Sequence, residues 1–73
     1  MSEREKLALL EDMLELEEGS LTAEVELKDI SSYDSMAWLS LIVLFEDEIG
    51  KKLEGKDIER FRTVGDILAA MES

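Results

Sequence analysis

Apolar residues in the first part of the chain recur at three- and four-residue steps. Leu7, Leu10, Met13 and Leu14 form the series, with Glu11, Asp12, Glu15 and Glu18 between them. That spacing predicts an amphipathic helix over about residues 3–17 with one buried stripe, and Gly19 is a natural stop. The second pattern differs in kind. From Met36 to Phe45 almost every position is apolar, and only Ser40 interrupts before Glu46. A helix over about 35–49, ending at Gly50, is predicted here. In so small a domain a helix apolar on nearly all sides must leave some of those side chains exposed, and exposed apolar surface usually has a use.

A third stripe, Val64, Ile67, Leu68 and Met71, predicts a helix over about 64–72. Thr63 and Asp66 open it with a Thr-x-x-Asp start, a capping box in which Asp is shorter than the preferred Glu. Between these helices "GKDIERFR" holds a short helix over about 56–61, centred on Ile58 and Phe61. Residues 18–34 form a long connection in which Leu21, Val25, Leu27 and Ile30 recur, so it is expected to be pinned across the other elements. Residues 1–73 thus read as one all-α domain, a small bundle of three main helices and one short helix, with a long loop between the first two.

Charge placement sharpens this picture. The formal net charge is −11, from 19 Asp and Glu against 8 Lys and Arg. Both ends balance, and the excess lies in residues 7–50, where Lys28 is the single base. Such a field repels nucleic-acid phosphate and anionic lipid and attracts basic protein surfaces. Neither a transmembrane run nor a signal peptide is recognisable, so a cytoplasmic protein with no membrane or nucleic-acid partner is expected.

The chemical inventory is short. Cysteine and histidine are both absent, which removes thiolate and imidazole ligands and the commonest general base. A calcium loop counted from Asp29 fails, because Asp34 falls where Gly is needed and Ser40 where Glu is needed. No metal site is expected. Glu46 and Asp47 are adjacent carboxylates, but on a helix face they read as solvated charge rather than an acid–base pair. Ser35 lacks the base that a nucleophilic serine needs. The domain is therefore expected not to be an enzyme, and Ser35 to be a serine on which other enzymes act.

The stretch "SSYDSMAWLSLI", residues 31–42, carries that expectation. Ser and Asp oxygens cap helices, and only one or two of these residues can do so here. A helix start also suits a phosphoryl group, because free amides and the dipole favour negative charge there. Capping and attachment at Ser35 are compatible on spacing alone.

"YDSMAWLSLIVLFEDEIG" resembles the Asp-Ser-Leu segment of acyl carrier proteins, and "FRTVGDILAAM" resembles that family's last helix. The order of helices and the long first loop follow the same family, so the resemblance covers essentially the whole chain. It implies covalent 4′-phosphopantetheine on Ser35, with Asp34 beside it orienting the serine or meeting the phosphopantetheinyl transferase. An acyl group would ride on the arm as a thioester and be presented to acyl ligases, synthases or transferases with basic docking patches. On this reading Met36, Leu39, Val43, Glu46 and Asp47 face partners, and Leu41, Phe45 and Ile67 line a pocket for the chain in a monomer.

Three departures bear on the subclass. Met36 replaces the usual Leu, Tyr33 takes a position that is often Gly, Met, Ala or Trp, and Ser40 stands where fatty-acid-synthesis members usually have Glu. The segment looks more like discrete carriers of specialised polysaccharide, polyketide or lipid pathways. The alternatives are a peptidyl or aminoacyl carrier, which more often shows Gly-Gly-x-Ser-Leu, and an unmodified acidic interaction domain in which Ser35 is only a cap.

Overall fold

A computed structural model describes residues 2–72. Four α-helices make up the bundle: α1 (Glu3–Leu14), α2 (Ser35–Leu44), α3 (Gly55–Arg60) and α4 (Val64–Glu72). A wide π-type turn, Phe45–Ile49, continues α2, and a single 3-10 turn, Leu27–Asp29, lies within the long loop. Helix α1 packs against both α2 and α4. One core joins them, built from Leu10, Leu14, Leu41, Phe45, Ile58, Val64 and Ile67 among others, with Leu21, Leu27 and Ile30 of the loop inserted into it.

The first helix starts as a capping box, in which Ser2 Oγ accepts the Glu5 amide at 3.2 Å and Glu5 returns the bond to the Ser2 amide. It stops earlier than the hydrophobic pattern predicts, at Leu14 rather than about residue 17. Glu15 takes the left-handed conformation (φ 58°), and the Leu16 amide turns back to the Glu11 carbonyl at 2.8 Å. The reason lies across the loop. Glu11 is buried, and its Oε2 accepts the Leu21 amide at 2.9 Å. The chain must fold back at once to deliver Leu21 to that oxygen.

Farther along, the loop is stitched to the start of α4. The amides of Val64 and Gly65 donate to the carbonyls of Val25 and Ala23, and the Leu27 amide donates to the carbonyl of Arg62. Gly65 sits tightly under this approach, since a Cβ there would lie 3.0 Å from the Ala23 carbonyl oxygen and the carbonyl would have to give by a few tenths of an ångström. The expected Thr63–Asp66 start is present: Asp66 Oδ2 accepts the amides of Arg62 and Thr63, and Thr63 Oγ1 accepts the Asp66 amide. Those bonds, the Arg62 amide first and then Thr63, hold the Asp66 carboxyl below the usual aspartate range.

Two lysines close the bundle. Lys51 donates from Nζ to the Ala70 carbonyl at 2.9 Å in the last turn of α4, where a cation is favourable. Lys6 is buried on α1 and pairs with Glu72 at 3.3 Å. Among the described residues no helix is long and apolar enough to cross a membrane.

Candidate functional site at the start of the second helix

Asp34 has extended backbone, and its Oδ1 accepts the amides of Met36 at 3.1 Å and Ala37 at 3.0 Å. The cap of α2 is therefore Asp34, which resolves what the sequence leaves shared between Asp and Ser. Ser35 becomes the first helical residue. It is exposed, and its hydroxyl makes no hydrogen bond to any described residue. Two of the amides expected to be free for a phosphoryl group are thus already taken by a carboxylate.

The over-apolar helix resolves into faces. Ala37, Leu41 and Phe45, at four-residue steps, are buried, and Trp38, Ile42 and Leu44 are half-buried against the core. Met36, Leu39 and Val43 are 70%, 62% and 55% exposed. These three share one outward strip that runs from the Ser35 end toward the wide turn. The turn closes on the Phe45 carbonyl, which accepts from both Gly50 and Lys51, and Gly50 adopts φ 78° to allow it. Glu46 and Asp47 sit exposed on this turn, so acidic and apolar exposure adjoin. Ser40 is exposed too, and its hydroxyl donates back to the Met36 carbonyl at 3.4 Å.

Leu41, Phe45 and Ile67, read from the sequence as pocket lining, lie in the closed core and are essentially inaccessible. Phe45 nonetheless reaches the wall of a small groove of about 170 Å³ with Lys51, Leu53 and Ala70, and two larger open grooves have other walls. One, of about 490 Å³, runs between α1 and α2, with Leu9 and Met13 facing Leu39 and Val43. The other, of about 400 Å³, is lined by Leu27, Lys28, Tyr33, Phe61 and Arg62. The Tyr33 hydroxyl and the neighbouring Ser32 hydroxyl are buried without a hydrogen-bond partner among the described residues. Burial also pushes the Tyr33 phenol above its ordinary value. No group of three or more carboxylates among the described residues is arranged to hold a metal ion.

Sequence reasoning missed Glu11 and the share of α1 in the groove. The signal for Glu11 was present: it stands four residues after Leu7 and three before Leu14, inside the apolar stripe. No comparable signal marked Leu9.

A family model described as a phosphopantetheine attachment site matches residues 7–71. An acyl carrier protein of Thermotoga maritima is 32% identical over 77 residues, which span 99% of this chain and 95% of that protein. The meromycolate extension acyl carrier proteins of Mycobacterium tuberculosis and Mycolicibacterium smegmatis are each 30% identical over 64 residues, 88% of this chain. The matched part spans 56% and 65% of those two proteins, respectively. No solved structure matches the chain significantly.

Proposed function

The chain belongs to the acyl carrier protein family, whose members bear phosphopantetheine covalently on a serine, and from that premise we propose that Ser35 is the attachment residue of this carrier. One observation supports the choice above the rest. Asp34 takes the capping duty, so the Ser35 hydroxyl stands exposed and unbonded at the first position of α2. Ser31 and Ser40 are exposed as well, but the Ser40 hydroxyl is engaged by the Met36 carbonyl, and Ser31 lies in the loop outside the Asp-Ser pair.

The residues present fit the group. Nothing covers Ser35, and the nearby carboxylate of Asp34 is turned to backbone amides. In the transfer, Ser35 Oγ forms a bond to the phosphorus of coenzyme A that bears the pantetheine, and the pyrophosphate linkage breaks to release the adenosine bisphosphate. The hydroxyl proton must go to the transferase, because no base of this chain is bonded to Ser35. Once attached, the group supplies a thiol that carries an acyl chain as a thioester. The chain itself contributes an address: exposed Met36, Leu39 and Val43 beside Glu46 and Asp47, a surface that basic patches on synthases, ligases or transferases would read. Fast, salt-sensitive docking of this kind suits a monomeric cytoplasmic carrier that visits several enzymes and catalyses nothing itself.

The test is intact mass after coexpression with a broad-specificity phosphopantetheinyl transferase. One phosphopantetheinyl group should appear on the natural chain and none on Ser35→Ala. Modification that persists on Ser35→Ala would move the site to another serine.

A further inference from the structure

Four methionines carry all the sulfur of this chain, since cysteine is absent. Three of them lie among the described residues, and the fold treats them differently. Met71 is 6% exposed in the core, and Met13 is half-buried against it. Met36 is 70% exposed and directly follows Ser35 on the first turn of α2. Its backbone is nonetheless held at both groups: the amide donates to Asp34 Oδ1 at 3.1 Å, and the carbonyl accepts the Ser40 hydroxyl. The position thus combines a fixed backbone with a thioether open to solvent.

We propose that Met36 is a reversible oxidation site, at which a hydroperoxide converts the thioether to a sulfoxide and so withholds Ser35 from the phosphopantetheinyl transferase. A sulfur lone pair forms the new S–O bond and the peroxide O–O bond breaks. The sulfur loses two electrons, and the peroxide is reduced to water or an alcohol. Exposure selects the residue. Met71 is reached only when the core opens, and with no thiol in the chain the peroxide meets the Met36 sulfur before it. Neighbourhood gives the consequence. An enzyme that reaches the Ser35 hydroxyl must cover the exposed side chain beside it. A thioether loses little on being covered, whereas the sulfoxide oxygen is a polar acceptor that must be stripped of water. The fold is spared, because the Asp34 cap and the core face at Ala37 and Leu41 do not use the Met36 side chain. Methionine sulfoxide reductases return the sulfur to the thioether with a thiol pair as reductant, so the block is reversible. This reading rests on the carrier assignment and on Ser35 as the attachment residue.

The experiment treats the full, unmodified chain with hydrogen peroxide, then removes the peroxide before coenzyme A and a broad-specificity transferase are added. Peptide mass mapping should place added oxygen on Met36 ahead of Met13 and Met71, with Met1, outside the described residues, mapped separately. The kcat/KM for transfer to Ser35 should fall about fivefold, as loss of one apolar interface contact does, with the thermal midpoint unchanged. The two reductases, one for each sulfoxide epimer, should restore mass and rate together. In Met36→Leu, peroxide should leave the transfer rate at that variant's own untreated value. Oxygen arriving first on Met13 or Met71 would overturn the proposal, and so would a Met36 sulfoxide pantetheinylated as fast as the thioether. A rate loss that persists in Met36→Leu would place the effect elsewhere and overturn it too. A lowered thermal midpoint would do the same, since the block would then be unfolding. All these failures leave transfer to the untreated chain intact. An untreated chain that takes no group would instead sink the attachment reading, and the consequence assigned to Met36 with it.

Discussion

The Ala37 amide donates to Asp34 Oδ1 at 3.0 Å, and this bond separates two duties that adjacent residues could have shared. Asp34 anchors the helix, and Ser35 is left with nothing to hold. The separation has a thermodynamic signature. Ser35→Ala should leave unfolding free energy within about 0.5 kcal/mol, as substitutions at unburdened surface positions do. Asp34→Ala should cost about 0.5–2 kcal/mol through the lost cap. Urea titrations of the two variants give the comparison, and a costly Ser35→Ala would return the cap to the serine.

The faces of α2 predict a sharp contrast over a few residues. Met36→Ser or Val43→Ser should change stability by no more than about 0.5 kcal/mol, because both side chains are already largely in water. Leu41→Ala and Phe45→Ala should each cost roughly 2–5 kcal/mol, since they open cavities in a closed core. Equilibrium denaturation with an unchanged m-value decides it. If Val43 costs as much as Phe45, the outward strip is core.

Glu11 holds the fold of the loop rather than its solubility. Glu11→Ala leaves the Leu21 amide buried without an acceptor, at a cost of about 1–3 kcal/mol. Glu11→Gln keeps an oxygen for that amide and should recover part of the loss. Hydrogen exchange at Leu21 reports the bond directly: it should accelerate in the Ala variant and stay protected in the Gln variant.

Acid sensitivity should localise in part to the start of α4. The Asp66 carboxyl is held below its ordinary range by the Arg62 amide and then the Thr63 amide, so the folded state binds its proton more weakly than the unfolded chain does. Its contribution to stability is present above the ordinary aspartate pKa and is lost as pH falls through the lower folded value. NMR titration of the Asp66 side chain should show that depressed midpoint, and Asp66→Asn should flatten the acid limb of the stability profile. An Asp66 midpoint at the ordinary value would contradict the capping geometry.

Charge reversal tests the docking address. Glu46→Lys and Asp47→Lys should slow pantetheinylation at low salt, mainly through association, and the difference should shrink as salt rises. A salt-independent defect would point to a change in structure rather than in steering.

Much of this molecule is legible in its sequence. The stripes at Leu7–Leu14 and Val64–Met71 fixed two helices, because a periodic pattern states both the element and the face it buries. Thr63 and Asp66 marked a helix start by chemistry that needs only neighbours in sequence. Asp34 and Ser35, with the segments that follow them, pointed to a carrier, and the family comparison agrees, which leaves the unmodified acidic module without support. What the tertiary structure decided shares one physical cause. A helix apolar on nearly every side has no phase of its own, so only the placement of α1 and α4 could choose Leu41 and Phe45 for the core and leave Met36, Leu39 and Val43 in water. Glu11 stands inside the apolar stripe, but its task appeared only when the loop brought the Leu21 amide to it, and that return ended α1 at Leu14. The space at Gly65 became tight only when the Ala23 carbonyl came to lie against it. Local hydrogen bonds and periodicity are written in short stretches of chain, whereas burial and close approach are properties of pairs of segments that the sequence lists far apart.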